Sequence, residues 1–300
     1  MSGHTTLGVG GVCEYYFEAK TSEELMNAVV LARNTGAPYR VIGNGSNIVA
    51  SDSPISGLVI VNKSTDIKVD AASGRVVASS GAPLSRVILE AASHSLGGLE
   101  PLYGIPGTVG GAVAVNAGAH GVDISQFLKS SSVLISSEKI LNCKPDWFKF
   151  GYRTSRLKET NKEAPPVVIN AIFQFQRRKK EDILDAINQS KIWRQDHQPI
   201  GMRSCGSIFR NPVSSDNAKG DDAFKTAGYL LDQVGAKKFS VGGAHVAKIH
   251  ANWILNSGKA SALDVRNLIE KMRRAVEEKF SVTLIEEVEY LGRWDDTKDI

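Results

Sequence analysis

Cysteine is scarce in this 300-residue chain: Cys13, Cys143 and Cys205 lie far apart and form no CxxC pair. That argues against a disulfide framework and a zinc ribbon, and a reducing cytoplasm is expected. Long apolar runs are missing as well. No segment approaches the ~18 uninterrupted apolar residues of a membrane helix, and the opening Met1-Ser-Gly-His-Thr-Thr-Leu-Gly shows no basic region followed by an apolar core, so no signal peptide is expected. Excess charge is absent too. The net +4 is too small for a nucleic-acid footprint yet compatible with an anionic small substrate, and Arg177-Arg-Lys-Lys180 reads as a solvated strand-to-helix junction. His4, His94, His120, His197 and His245 have no metal-ligand spacing, so no metal is expected. What remains is ordinary for a globular protein, 42% hydrophobic and 23% charged, with length for two or three domains.

Glycine is the residue used unusually. Gly104-Ile-Pro-Gly-Thr-Val-Gly-Gly-Ala-Val-Ala-Val-Asn-Ala-Gly-Ala-His-Gly121 threads six glycines in eighteen residues with Ile105, Val109, Val113 and Val115, and reads as neither linker nor helix. Two readings stand: a buried loop wrapped against a large planar ligand, or a tight loop that is glycine-rich for packing. A second glycine segment, Gly43-Asn-Gly-Ser-Asn47, follows the strand Tyr39–Ile42. Its main-chain N–H groups suit an anion such as a pyrophosphate, unless it is an ordinary turn. It is not GxGxxG with a helix behind it and carries no Walker lysine, so Rossmann and P-loop readings fail.

The elements alternate irregularly. A strand at Tyr15–Phe17 precedes a helix opened by the capping box Thr21-Ser-Glu-Glu24 and closed by Gly36. Strands at 57–61 and 75–79 precede a helix from Pro83 to Gly97; more strands fall at 132–135, 139–141 and 166–175. A helix from Glu181 to about Gln195 leads to a domain boundary near 195. Beyond it come the helix Phe224–Val234, strands near 242–248 and 253–255, an amphipathic helix carrying Val265, Leu268, Ile269, Met272, Val276 and Phe280 inward, and a terminal strand at 282–291.

Seven segments then occur in one order: His4-Thr-Thr-Leu-Gly-Val-Gly-Gly11, Gly43-Asn-Gly-Ser-Asn47, Leu99-Glu-Pro-Leu-Tyr-Gly-Ile-Pro-Gly107, Gly151-Tyr-Arg-Thr-Ser155, Cys205-Gly-Ser-Ile-Phe-Arg-Asn-Pro212, Ala227-Gly-Tyr-Leu-Leu-Asp-Gln233 and Glu287-Val-Glu-Tyr-Leu-Gly292. Together they resemble the UDP-N-acetylenolpyruvoylglucosamine reductase (UDP-N-acetylmuramate dehydrogenase) family, flavoenzymes of bacterial cell-wall precursor synthesis. Only 53 residues separate Arg153 from Ser207, which leaves no room for an inserted substrate-covering loop, so the chain resembles the family's shorter, second type. Ser155-Arg-Leu157 replaces the commoner aromatic ending of the Tyr-Arg motif, and the usual N-terminal leader helix is nearly absent.

The resemblance implies an α+β protein: a two-subdomain FAD-binding fold of the vanillyl-alcohol-oxidase (PCMH) type over residues 1–64 and 65–194, an α+β C-terminal substrate domain over 195–283, and a strand in 284–300 returning toward the active site. It implies hydride transfer from NADPH to non-covalently held FAD and on to the enolpyruvyl ether of a UDP-sugar. By motif match, Ser207 is the proton donor, assisted by Arg153 and Glu287. Gly43, Asn44, Gly45, Ser46 and Asn47 would hold the FAD pyrophosphate. Ile105, Pro106, Gly107, Gly110, Gly111 and Gly121 would line its ring and ribityl chain. Asn211 and Lys237 match positions contacting the nucleotide. His250 aligns with a polar position on the substrate side, or is a structural histidine. A serine hydroxyl is a poor acid in water, so a nearby cation and a dry site must help it, and Arg153 offers an always-charged fork for a carboxylate. Cys205 is a small packed residue or a thiol catalyst, and no paired histidine favours the second. A cytoplasmic monomer without nucleic-acid, membrane or metal partners is expected. Two rivals remain: another flavin oxidase, which has no reason to carry Gly206-Ser-Ile-Phe-Arg-Asn-Pro212, and a non-catalytic binding module, which has no reason to keep Ser207, Arg153 and Glu287.

Overall fold

The computed structural model describes residues 1–159, 164–213 and 226–294. The chain forms two compact units. One comprises Met1–Glu14, Gly45–Ser56 and Gln195–Ile300, the other Tyr15–Asn44 and Gly57–Arg194.

The second of these is built on an antiparallel five-stranded sheet in the order Lys139–Cys143, Leu128–Ser136, Val167–Gln174, Arg75–Ser79, Ile67–Asp70. Both faces of its central strand are used. Val168, Ala171 and Phe173 join a core containing Leu84, Val87 and Ile88 of a helix, whereas Val167 and Ile169 pack with Leu25, Val29 and Ala32 of another. That double burial explains why the strand alternates only in part. The helices are α1 (Ser22–Thr35) and α2 (Leu84–Ser93). Thr21 accepts the Glu24 N–H at 3.0 Å, and the Glu24 carboxylate reaches back to the Lys20 N–H at 2.7 Å, one residue ahead of the usual capping-box partner. Gly36, with φ of 68°, ends α1 in the left-handed region.

Two expectations are corrected here. The glycine-rich segment contains a helix, α3 (Val109–Ala114), because Thr108 caps it and its Val109, Ala112 and Val113 are buried, a packing gain that outweighs the low propensity of glycine. Helix α2 stops at Ser93 rather than Gly97. Leu96-Gly97 instead pairs antiparallel with Gln176–Arg177. The basic run is the exposed strand-to-helix junction expected, and within it Arg177 donates to the Ala71 carbonyl at 2.9 Å and Arg178 meets the buried Glu100 carboxylate at 2.9 Å. Short helices α4 (Pro145–Phe148) and α5 (Arg156–Glu159) precede α6 (Lys180–His197).

The other unit has α7 (Ala227–Gln233), an antiparallel sheet Ser240–Val241, Ala244–Val246, Ile254–Asn256, and α8 (Ala262–Phe280). The expected start of α7 at Phe224 lies outside the described residues. Helix α8 buries Val265, Leu268, Ile269, Met272 and Val276 as its periodicity demands, together with Leu7 and Val49. Its N-terminus has the Ser261/Asp264 capping box and, in addition, the Asp52 carboxylate, which accepts the Ala262 N–H at 2.7 Å. The strand read at 282–291 shrinks to Glu289–Leu291, paired parallel with Ile48–Ala50. Residues before it keep alternate burial at Val282, Leu284 and Val288 and meet the Ile208–Arg210 segment through the isolated Phe209–Glu286 bridge rather than a ladder.

Candidate active site

The main chain of Glu287 is brought against that of Ile208, next to Ser207, although 79 residues separate Ser207 from Glu287 in sequence. The segment Ser207–Arg210 runs between two others: Ser207 bridges Trp253, Phe209 bridges Glu286, the Glu287 N–H donates to the Ile208 carbonyl at 2.8 Å, and the Arg210 N–H donates to the Ile285 carbonyl at 3.0 Å. Gly206, with φ of 81°, makes the turn that presents Ser207. Ser207 and Glu287 are both half-buried, between a closed core and open solvent. Cys205, two residues earlier, is buried in the apolar core, and burial pushes its thiol up to about 12. That answers the question its position raised: it is a packed residue, not a nucleophile.

Asn47 belongs to this arrangement in a way its motif did not reveal. Its side-chain amide donates to the Glu287 carbonyl at 2.9 Å, and its own carbonyl accepts the Glu289 N–H at 2.9 Å, so it fastens the chain beside the carboxylate. His250 lies near Lys237, Asp232 and His197. Its Nδ1 accepts the Asn252 N–H at 3.2 Å, which puts the ring proton of the neutral form on Nε2. Burial, then the charges of Lys237 and His197, hold its pKa below the usual value. Gly228 of the Ala-Gly-Tyr motif faces this ring: a Cβ there would come within 3.0 Å of His250 Cε1. Lys237 forms a 2.9 Å ion pair with Asp232, and Asn211 Oδ1 accepts the Ala227 N–H at 3.1 Å at the start of α7.

In the other unit Gly43 meets the long glycine-rich segment at Thr108. A Cβ added at Gly43 would overlap Thr108 Oγ1 and lie 2.8 Å from its Cγ2, while Thr108 Oγ1 also caps α3 through the Gly111 N–H. Gly110 is pressed on Ser80, to whose carbonyl its N–H donates at 2.7 Å. These glycines have packing reasons, as does Gly45, where a Cβ would overlap the His4 carbonyl oxygen within its own unit. Gly111 does not. It is exposed and helical, and a Cβ there would meet only Thr108 Oγ1 at 3.7 Å; at exposed Gly121 one would meet nothing within 4 Å. Ile105 and Gly107 are half-buried and Pro106 exposed. Asn44 and Ser46 are half-buried in the turn between Ile42 and Ile48.

Arg153 sits in the turn closed by the Gly151–Thr154 bridge with φ of 55°, a left-handed conformation costing a non-glycine residue roughly 1–2 kcal/mol. The turn is anchored to the glycine-rich segment by Asn116 Nδ2 on the Gly151 carbonyl at 3.1 Å and by Ser155 Oγ on the Ala114 carbonyl at 2.6 Å. The sequence did not single out Arg194. It is 6% exposed and donates to the carbonyls of Tyr103 at 2.8 Å and Pro101 at 3.1 Å; burial, then the charge of Arg153, lowers its pKa. Among the described residues no group of three or more His, Cys, Asp or Glu side chains is placed to hold a metal ion, and no helix is long and apolar enough to cross a membrane.

Residues 13–144 match the family described as FAD binding domain, and residues 198–291 match the one described as UDP-N-acetylenolpyruvoylglucosamine reductase, C-terminal domain. The UDP-N-acetylenolpyruvoylglucosamine reductase of Halalkalibacterium halodurans is 36% identical, over 97% of this chain and 92% of its own. The chain belongs to that family. The enzyme of the same name from Acaryochloris marina is 37% identical over 98% of this chain and 92% of its own. The crystal structure of the Thermus caldophilus reductase superposes with a TM-score of 0.78 at 34% identity, covering 97% of this chain and 96% of that one. The α+β fold is therefore that of the reductase family, an FAD-binding part joined to the family's C-terminal domain.

Proposed function

We propose that the protein reduces UDP-N-acetylglucosamine enolpyruvate to UDP-N-acetylmuramate with NADPH and FAD, a step in making peptidoglycan precursors. The observation that supports this reading is the backbone pairing that sets Glu287 against Ile208, next to Ser207, within a chain of this family. The residues present suit a flavin. Alanine would be favoured at helical, exposed Gly111 by up to about 1 kcal/mol if only the protein mattered, so a glycine there points to a flat group lying against the main chain. Gly43, Asn44, Gly45, Ser46 and Asn47 would supply the pyrophosphate turn, and Ile105, Pro106, Gly107, Gly110, Gly111 and Gly121 the ring and ribityl wall.

FAD bound here would supply the hydride chemistry that couples NADPH oxidation to reduction of the enolpyruvyl double bond. The protein's own contribution is charge and protons. Hydride addition builds negative charge on the carbon beside the substrate carboxylate; Ser207 Oγ donates the proton there, and Arg153 offers its fork to the carboxylate. The left-handed Arg153 backbone, held from two sides, fits a side chain whose direction matters more than its strain. Glu287 is assigned the charge beside the proton donor. Lys237 and Asn211 are assigned to the nucleotide's diphosphate and uracil, and His250 presents Nε2–H to the substrate side.

Residues 1–64 and 65–194 are read as FAD-binding subdomains, 195–283 as the substrate domain and 284–300 as the returning strand. A cytoplasmic monomer is the form proposed, in keeping with three free cysteines. Purified yellow protein should oxidise NADPH rapidly only when the enolpyruvyl sugar nucleotide is added, and acid precipitation should release the flavin. Turnover with oxygen and an alcohol, without NADPH, would refute the assignment.

A further inference from the structure

The segment carrying Ser207 is held in an unusual way. On one side the Ser207–Trp253 bridge is continued not by a regular neighbouring strand but by a single residue, Asn252, through its main chain and its buried side chain. Asn252, 3% exposed, accepts the Phe209 N–H on Oδ1 at 3.0 Å and donates through Nδ2 to the Phe209 carbonyl at 2.7 Å. Its main-chain carbonyl accepts the Ile208 N–H at 2.9 Å. The carboxamide thus does for Phe209 what peptide groups of a paired strand would do, and the Asn252 main-chain carbonyl does the same for the Ile208 N–H. The same residue's N–H donates to His250 Nδ1 at 3.2 Å. From across the strand, the Glu287 N–H takes the Ile208 carbonyl at 2.8 Å.

We propose that Asn252 is a positioning residue for Ser207: its carboxamide locks the main chain on both sides of Phe209, and through it the place of the Ser207 hydroxyl, while its N–H fixes the ring of His250. This rests on the proton-donor reading of Ser207. The asparagine carboxamide accepts from one peptide group and donates to the next, on either side of the Phe209 Cα; leucine of similar size can do neither, and leaves a buried N–H and carbonyl without partners. A proton donor is sensitive to such a loss because transfer needs the oxygen within hydrogen-bond reach of the carbon it serves, and a displacement of about 1 Å can cost on the order of 100-fold.

The test uses the flavin-loaded enzyme in stopped flow, with loss of flavin absorbance on NADPH addition and its return on adding the enolpyruvyl substrate followed as separate phases. Asn252→Leu should leave the first phase and the substrate Kd within about threefold and slow the second about 10- to 100-fold. In case that variant folds poorly, Asn252→Asp keeps the acceptor for the Phe209 N–H. Its second phase should be slowest at high pH and recover as pH falls, relative to the unmodified enzyme over the same range, because a protonated carboxyl again donates to the Phe209 carbonyl; the comparison cancels titration of His250, Glu286 and Glu287. Hydrogen exchange of the 205–211 peptide should accelerate in both variants. Adding Asn252→Leu to Ser207→Ala should slow the second phase no further. Equal slowing of both phases by the Asn252 variants, additivity with Ser207→Ala, or no recovery of Asn252→Asp at low pH would overturn the proposal while leaving Ser207 its role. If Ser207→Ala itself slowed both phases alike, the proton-donor reading would fall, and the positioning role with it.

Discussion

Substituting alanine at Gly43 and at Gly111 should give opposite results, because the two glycines exist for different reasons. A Cβ at Gly43 overlaps Thr108 Oγ1, lies 2.8 Å from Cγ2 and 3.1 Å from Cβ, so Thr108 must move. Thr108 in turn caps α3, whose Val109, Ala112 and Val113 are buried. Overpacking and a disturbed cap together amount to about 2–4 kcal/mol. Gly43→Ala should therefore destabilise the flavin-free protein by that amount in urea unfolding followed by far-UV circular dichroism. Removing Oγ1 and Cγ2 by Thr108→Ala leaves only the 3.1 Å contact, so the double variant should recover at least about 1 kcal/mol relative to additivity. Gly111→Ala meets one atom at 3.7 Å and should leave the flavin-free protein unchanged or up to about 1 kcal/mol more stable, yet weaken flavin binding measured by fluorescence quenching. Full stability of flavin-free Gly43→Ala, or a double variant no better than additive, would refute the packing argument. Undiminished flavin affinity in Gly111→Ala would refute the ligand argument.

Ser207→Ala should spare NADPH-driven loss of flavin absorbance and slow its return on substrate by about 10²–10⁴-fold, the usual range for a general acid, with Ser207→Cys recovering part because a thiol is the stronger acid; equal slowing of both would refute the role. His250 has a depressed folded pKa, so the unfolded chain binds the extra proton first as pH falls through the ordinary histidine range. Stability from this group is therefore complete above that range and lost below it, and His250→Gln should flatten the midpoint of urea unfolding across the window; an unchanged slope would count against its buried, neutral state. Asp52→Ala removes the acceptor of the Ala262 and Leu263 N–H groups at the head of α8 and should cost about 1–2 kcal/mol in urea unfolding; a variant as stable as the parent would show that the Ser261/Asp264 box suffices alone.

The parts of the structure that were legible are those set by neighbours a few residues away. The cap at Thr21, the left-handed stop at Gly36 and the apolar stripe of α8 are local, and each appears close to where periodicity and capping chemistry put it. The glycine-rich segment misled in the same local terms: six glycines argue against a helix until Thr108 and the buried Val109, Ala112 and Val113 are seen to hold one turn in place. The site itself is decided by pairings across long stretches of chain. Glu287 beside Ser207, Thr108 beside Gly43, and the Asn47 amide on the Glu287 carbonyl leave no periodic trace, because a single hydrogen bond between distant segments constrains only its own two residues. Asn47 shows the consequence. Its motif spoke for a pyrophosphate turn, and its main chain can still serve that end, but the side chain is committed to the main chain of Glu287 itself. Asn47→Ala should therefore disturb proton delivery as well as flavin binding, which a residue serving the cofactor turn alone would not do.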